Sequence, residues 1–216
     1  MKIPGWFGLF LALAVFFCFS CSQSEPEIKY GSLELVYYEN GGNPVERLSF
    51  FVLPSDGDGI EDLEELWLYH DWEGLSWRLG SDDWVRQPVN EQIWIGSRAI
   101  AMEDGSGLPR GQYRAVLRDK GGEKTERLLA FDTFETRPFP SFSVTGGTYR
   151  IESAYPRQNL IVYDDEGSFL ISVDPPAREG EISALGLPAQ ARSLALWAYD
   201  PEQSVSAFTD VVPLDD

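Results

Sequence analysis

Cysteine is nearly missing from this sequence: Cys18 and Cys21 are the only two in 216 residues, and both precede the first strand-like segment. No disulfide framework holds the globular part, so its stability rests on an apolar core. Histidine is rarer still, at His70 alone, and a zinc site or an imidazole base normally needs companions. Bases are scarce, 17 against 35 acids, for a formal charge of −18. Such a surface opposes nucleic acid, whose binding needs cations facing phosphate, and it opposes adsorption to anionic headgroups. Helical patterning is confined to "DLEEL", where Leu63, Leu66 and Trp67 fall three and four residues apart. Nucleophile-elbow, phosphate-loop and S-x-x-K motifs are lacking. No enzyme is expected; the catalytic alternative is an envelope hydrolase with paired carboxylates such as Asp82–Asp83 or Asp164–Asp165, both at turns.

One long apolar run is present, from Trp6 to Phe19 behind Lys2. It is short for a membrane span, which takes about 20 residues, and it has the layout of an export signal over residues 1–20. Cys18 and Cys21 have C-x-x-C spacing, but at the edge of a signal and without βαβ context that spacing carries no redox or metal site. Ser20 followed by Cys21 resembles the lipobox of bacterial lipoproteins, in the loosened form found in spirochaetes. The resemblance implies that Cys21 is lipidated on sulfur and becomes the mature N-terminus. Residues 21–29, with the polar "SQSEPE", then form a tether. It also implies a cell-envelope location in which the lipid, not charge, holds the membrane. Ser22, where aspartate would signal inner-membrane retention, favours the outer membrane.

From Tyr30 onward apolar residues alternate with a period near two and are interrupted every 8 to 12 residues by turn formers, the pattern of an all-β antiparallel sandwich. Strands are expected at "SLELVYYE", "ERLSFFVL", "ELWLYH", "LSWRLG", "QIWIG", "QYRAVLRD" and "KTERLLAFDTF". In "LPRGQYRAVLRDKGGEKTERLLAF", Gly111 and Tyr113 before an alternating hairpin resemble the tyrosine corner of immunoglobulin-like and fibronectin type III-like sandwiches. The resemblance implies such a β-sandwich over residues 30–136, with the tyrosine hydroxyl bonded upstream. The prolines of "ETRPFPS" mark a linker at 137–140. Residues 141–216 alternate again and read as a second, smaller β domain, or as a β extension of the first. The segments "LPRGQYRAVLRD" and "LPAQARSLALWAYD" echo each other across that linker.

Two stretches carry candidate sites. Pro54 to Glu73 holds eight acids and no base. Aligned on an EF-hand loop with Gly59 sixth, Asp56, Asp58 and Glu65 fall at ligand positions, but Pro54 takes the first and a strand-like segment enters. Asp56, Gly57, Asp58, Gly59 and Asp62 resemble the calcium loops of thrombospondin type 3 repeats, in a single copy. Calcium on Asp56, Asp58, Asp62 and Glu65 therefore stands beside the reading of a solvated acidic turn; no other cofactor is expected. Five of seven tryptophans lie between Trp67 and Trp94. By alternation Trp77 joins the core, whereas Trp67 and Tyr69 share the face opposite Leu66 and Leu68. With Trp72 and Trp84 in acidic loops, these aromatics are candidate anchors for a protein or glycan partner. The expected role is non-catalytic binding or scaffolding, with a calcium-dependent or glycan-binding adhesin as the alternative.

Overall fold

The computed structural model describes residues 24–214, so the signal, Cys21 and the first tether residues lie outside it. The fold is all-β. In the first half the strands are β1 (Glu27–Asn40), β2 (Asn43–Ser55), β3 (Leu63–His70), β4 (Leu75–Gly80), β5 (Val85–Val89), β6 (Gln92–Ile100), β7 (Gly111–Asp119) and β8 (Lys124–Phe131). In the second half they are β9 (Ser141–Thr145), β10 (Thr148–Glu152), β11 (Arg157–Tyr163), β12 (Phe169–Val173), β13 (Glu179–Glu181), β14 (Ser193–Asp200), β15 (Val205–Phe208) and β16 (Val212–Pro213).

The first eight strands pair as β1-β2-β6-β5 and β4-β3-β7-β8. In chain order these are A-B-E-D against C′-C-F-G, the immunoglobulin-type arrangement. The second half repeats that connectivity: β9, β10 and β13 form an A-B-E sheet, and β12-β11-β14-β15 are C′-C-F-G. The echoing segments thus belong to the same strand, F, of each repeat. The repeats are also joined by backbone: β15 pairs with β1 in parallel, from Leu35↔Val205 to Tyr38↔Phe208. A nine-stranded sheet therefore runs across both halves, with β16 on the flank of β14.

Side-chain parity decides the layers. On the inner face Leu35, Leu48, Phe50, Val52 and Ile95 meet Leu66, Leu68, Ala115 and Leu117 of the four-stranded sheet in one apolar cluster. Leu160, Leu194 and Leu196 extend that cluster to Tyr149 and Ile151 of the three-stranded sheet. Burying a leucine or phenylalanine of this kind stabilises by about 1.5–3 kcal/mol. β2 is buried on both parities, since Phe51 and Leu53 of the outer face are shielded by neighbouring side chains, Phe51 with Arg98 5.6 Å over its ring. Gly96 of β6 is required there: a Cβ would stand 2.0 Å from the Phe50 carbonyl oxygen.

Three expectations need correction. "DLEEL" is not helical: Leu63 onward is strand β3, preceded by a single 3-10 turn at Ile60–Asp62. Pairing of β3 with both β4 and β7 satisfies its backbone and outweighs a helical spacing only five residues long. β5 has no counterpart among the expected strands because Pro88 interrupts its pattern; it is tolerated because β5 ends the sheet. Trp84 is no surface anchor: at 6% exposure it belongs to the core cluster. The turn from Ser81 to Trp84, with the Gly80 carbonyl accepting from the amides of Asp83 and Trp84, folds its ring inward.

Candidate functional site

The tyrosine corner is assembled from three pieces. Tyr113 is fully buried and donates its hydroxyl to the Pro109 carbonyl oxygen at 2.8 Å, four residues upstream. Burial raises its pKa. Gly111, at φ 117°, takes the backbone conformation that lets the chain enter β7. Arg110 pairs with Glu46 of β2, donates to the carbonyl oxygens of Leu108 and Thr133, and lies 4.5 Å over the Phe131 ring. His70 packs against Tyr113 at 4.8 Å, with Nε2 3.2 Å from the Arg110 carbonyl. It is a core residue of this corner.

The sequence-predicted aromatics separate. Trp67 and Tyr69 stack at 5.6 Å on the outer face of the four-stranded sheet, with Arg114 4.6 Å over Tyr69 and Arg78 6.0 Å over Trp67. Their ring faces are largely taken by each other and by these guanidinium groups. Trp72 stands free in the β3–β4 turn at 91% exposure.

The acidic stretch divides in the same way. Glu65 is buried in β3, where it accepts from Trp67 Nε1 and pairs with Arg78 and Arg118. The Trp67 hydrogen bond, aided by the two arginines, holds its carboxyl below the usual range despite burial. Asp58 turns to Ser24, accepting from its amide at 2.8 Å. Neither therefore joins the ligand set expected from the motif. Asp56 and Asp62 do lie together, and a third acid not signalled by the motif, Asp119, completes a group with one oxygen of each within 4.8 Å of the others.

A further surface feature was not legible locally. The outer face of the nine-stranded sheet is covered by no strand or helix among the described residues. Across it runs a ladder of stacked planar groups: Tyr199 on Trp197 at 4.3 Å, Trp197 on Phe208 at 5.8 Å, Phe208 on Tyr38 at 5.2 Å, then the Arg47 guanidinium 4.6 Å from the Tyr38 ring. Cross-strand register places them there, since Phe208 faces Trp197 on one side and Tyr38 on the other. Beside the ladder two adjoining depressions of ≈ 460 and ≈ 350 Å³ share Glu34, Ser49, Arg98 and Trp197. The indole N–H groups of Trp94 and Trp197 are buried on this face with no acceptor among the described residues, a polar demand worth about 1–3 kcal/mol each.

Glu34 lies where the depressions meet. Burial raises its carboxyl above the usual range, against the Ser206 hydrogen bond and the Arg98 charge. For an acid with a raised folded-state pKa, the unfolded chain releases the proton first, so stability falls as pH climbs from the unfolded value through the folded one. Glu34→Gln is therefore expected to raise the Tm near pH 7, with the gain vanishing below about pH 4, where both states are protonated. A melting series showing no gain near neutrality would contradict this.

No family model matches the chain, and no curated protein sequence does. Among solved structures, the 47-kilodalton lipoprotein Tp47 of Treponema pallidum is similar over 86% of this chain and 50% of its own, at 14% identity and a TM-score of 0.44. Dimeric latent PorU of Porphyromonas gingivalis is similar over 88% of this chain and 20% of its own, at 14% identity and a TM-score of 0.33. Murine CEACAM1b is similar over 86% of this chain and 99% of its own, at 12% identity and a TM-score of 0.25. The chain spans half the length of the first and a fifth of the second.

Proposed function

We propose that this chain is an acidic, lipid-anchored protein of the cell envelope, on the outer membrane, that binds a protein partner without catalysis through the open face of its nine-stranded sheet. The anchor rests on the sequence around Cys21, outside the described residues. The observation that carries the binding role is the ladder of half-buried rings beside two connected depressions, a largely apolar face with no strand or helix of the described residues over it. A protein suits it better than a sugar because the rings stack on one another and present edges. Sugar stacking needs free ring faces. Among the described residues lining the two depressions Glu34 is the single acid, whereas glycoside hydrolysis uses two. A glycan partner is the second reading, favoured by Trp72 with its ring free.

The test is photo-crosslinking in native membranes with benzophenone side chains at Arg98 in the open face, at Trp72, and at Arg150, which is well exposed on the three-stranded sheet. A discrete protein adduct from position 98 and none from 150 is expected. Adducts from 72 or 150 without one from 98, or none from any position, would overturn this assignment.

A further inference from the structure

We infer that Asp56, Asp62 and Asp119 form a divalent-cation site, taking calcium, which staples the two sheets of the first repeat at one end. Asp56 follows β2 of the nine-stranded sheet, Asp62 closes the 3-10 turn before β3, and Asp119 ends β7 of the four-stranded sheet. Antiparallel pairing of β3 with β7 sets Leu63 opposite Asp119, which brings Asp119 beside a loop 57 residues earlier.

Two buried oxygens point to an ion. Asp119 is 0% exposed; its Oδ1 accepts from the Glu123 amide at 2.9 Å, and its Oδ2 has no hydrogen-bond partner among the described residues. Asp56 uses Oδ1 for the Ser24 hydroxyl and the Asp58 amide, and its buried Oδ2 likewise has no hydrogen-bond partner among the described residues. A carboxylate taken out of water without a counter-charge is among the costliest groups to bury, and here a second and third acid stand beside it. Lys120 donates Nζ to the Glu61 carbonyl oxygen at 2.7 Å and its amide to the Asp62 carbonyl oxygen at 2.9 Å; neither bond reaches Asp56 Oδ2 or Asp119 Oδ2. Lys29 lines the depression of ≈ 300 Å³ that Asp56 also borders.

The second repeat supplies an internal comparison. Asp200 ends its F strand as Asp119 ends the first, and accepts turn amides from Glu202 and Gln203 through Oδ1 just as Asp119 accepts from Glu123. Its Oδ2 meets Arg137 at 2.5 Å. The same position thus receives a guanidinium in one repeat and two further carboxylates in the other. An all-oxygen set of three carboxylates suits a hard cation that accepts mono- or bidentate carboxylates in flexible geometry, as calcium does. Magnesium demands a stricter octahedron and keeps more water.

The test uses the full chain lacking residues 1–20, stripped with chelator and melted with calcium chloride or magnesium chloride. Calcium at roughly 100 times its Kd is expected to raise the Tm by about 5–10 °C, magnesium by less. Asp119→Asn keeps the Glu123 hydrogen bond and removes the charge. It should raise the Tm of the stripped protein and lose the calcium shift, and Asp56→Asn should do the same if Asp119→Asn fails to fold. Asp58→Asn should retain the shift, which separates this ligand set from the one the sequence motif suggests. No calcium shift in the unaltered chain, or a shift lost with Asp58→Asn and kept with Asp119→Asn, overturns the site. The open face lies elsewhere, so the crosslinking result is independent of this one.

Discussion

Replacing Arg110 by methionine is expected to destabilise the fold by about 3–5 kcal/mol, read from chemical denaturation. The side chain is mostly buried, and it satisfies Glu46 and two carbonyl oxygens at once while covering Phe131 and Phe134. Removing it leaves Glu46, also mostly buried, with the Leu108 amide at 2.9 Å as its remaining hydrogen bond among the described residues. The cost arises from that stranded charge more than from the lost attraction. Arg110→Met combined with Glu46→Leu should therefore recover most of the loss. A single variant costing under about 1 kcal/mol, or a double variant no more stable than the single one, would show that the pair does not hold the corner to β2.

Leu35→Ala is expected to cost about 2–5 kcal/mol, lowering the Tm by roughly 4–20 °C. Leu35 is fully buried in β1 and faces Leu48 of β2 on one side and Val205 of β15 on the other. Its amide also donates to the Ser204 carbonyl at 2.9 Å. The cavity therefore opens at the seam between repeats, where the pairing is only four residues long. Amide exchange should accelerate together in β2 and β14 if the nine-stranded sheet unfolds as one unit. Loss of protection confined to β14 and β15, with β2 unchanged, would mean that the repeats unfold separately.

Much of the architecture follows from local patterning. Alternation in "ELWLYH" and "QYRAVLRD" reflects strands with one face in a core, so it specifies both the strand and the buried set. Gly41 and Gly42, at φ 59° and 83°, make the tight turn between β1 and β2 because both positions need left-handed backbone. Tyr113 was legible because its hydroxyl bonds only four residues away. Trp84 misled because a turn can aim its last side chain either way, and only the packed core shows which.

The open face left one faint trace. In "SLALWAYD" both parities are apolar, so a strand with one wet face would waste Trp197 and Tyr199. What that trace could not give is the partner strand. Leu35 and Val205 are 170 residues apart, as are Tyr38 and Phe208. Parallel pairing between them carries no turn signal, since no hairpin connects them.

By itself, then, the sequence determined an acidic all-β chain with few cysteines and bases, most of its strands, the buried face of "ELWLYH" and the tyrosine corner. These depend on side-chain alternation and turn geometry over spans of ten residues or fewer. Tertiary structure alone decided that β1 and β15 fuse two sandwiches into one sheet, that rings from β1, β14 and β15 stack across its open face, and that Asp119 reaches Asp56 and Asp62. Each of these depends on register between strands far apart in the chain, where short-range periodicity says which way a side chain points but not what it meets.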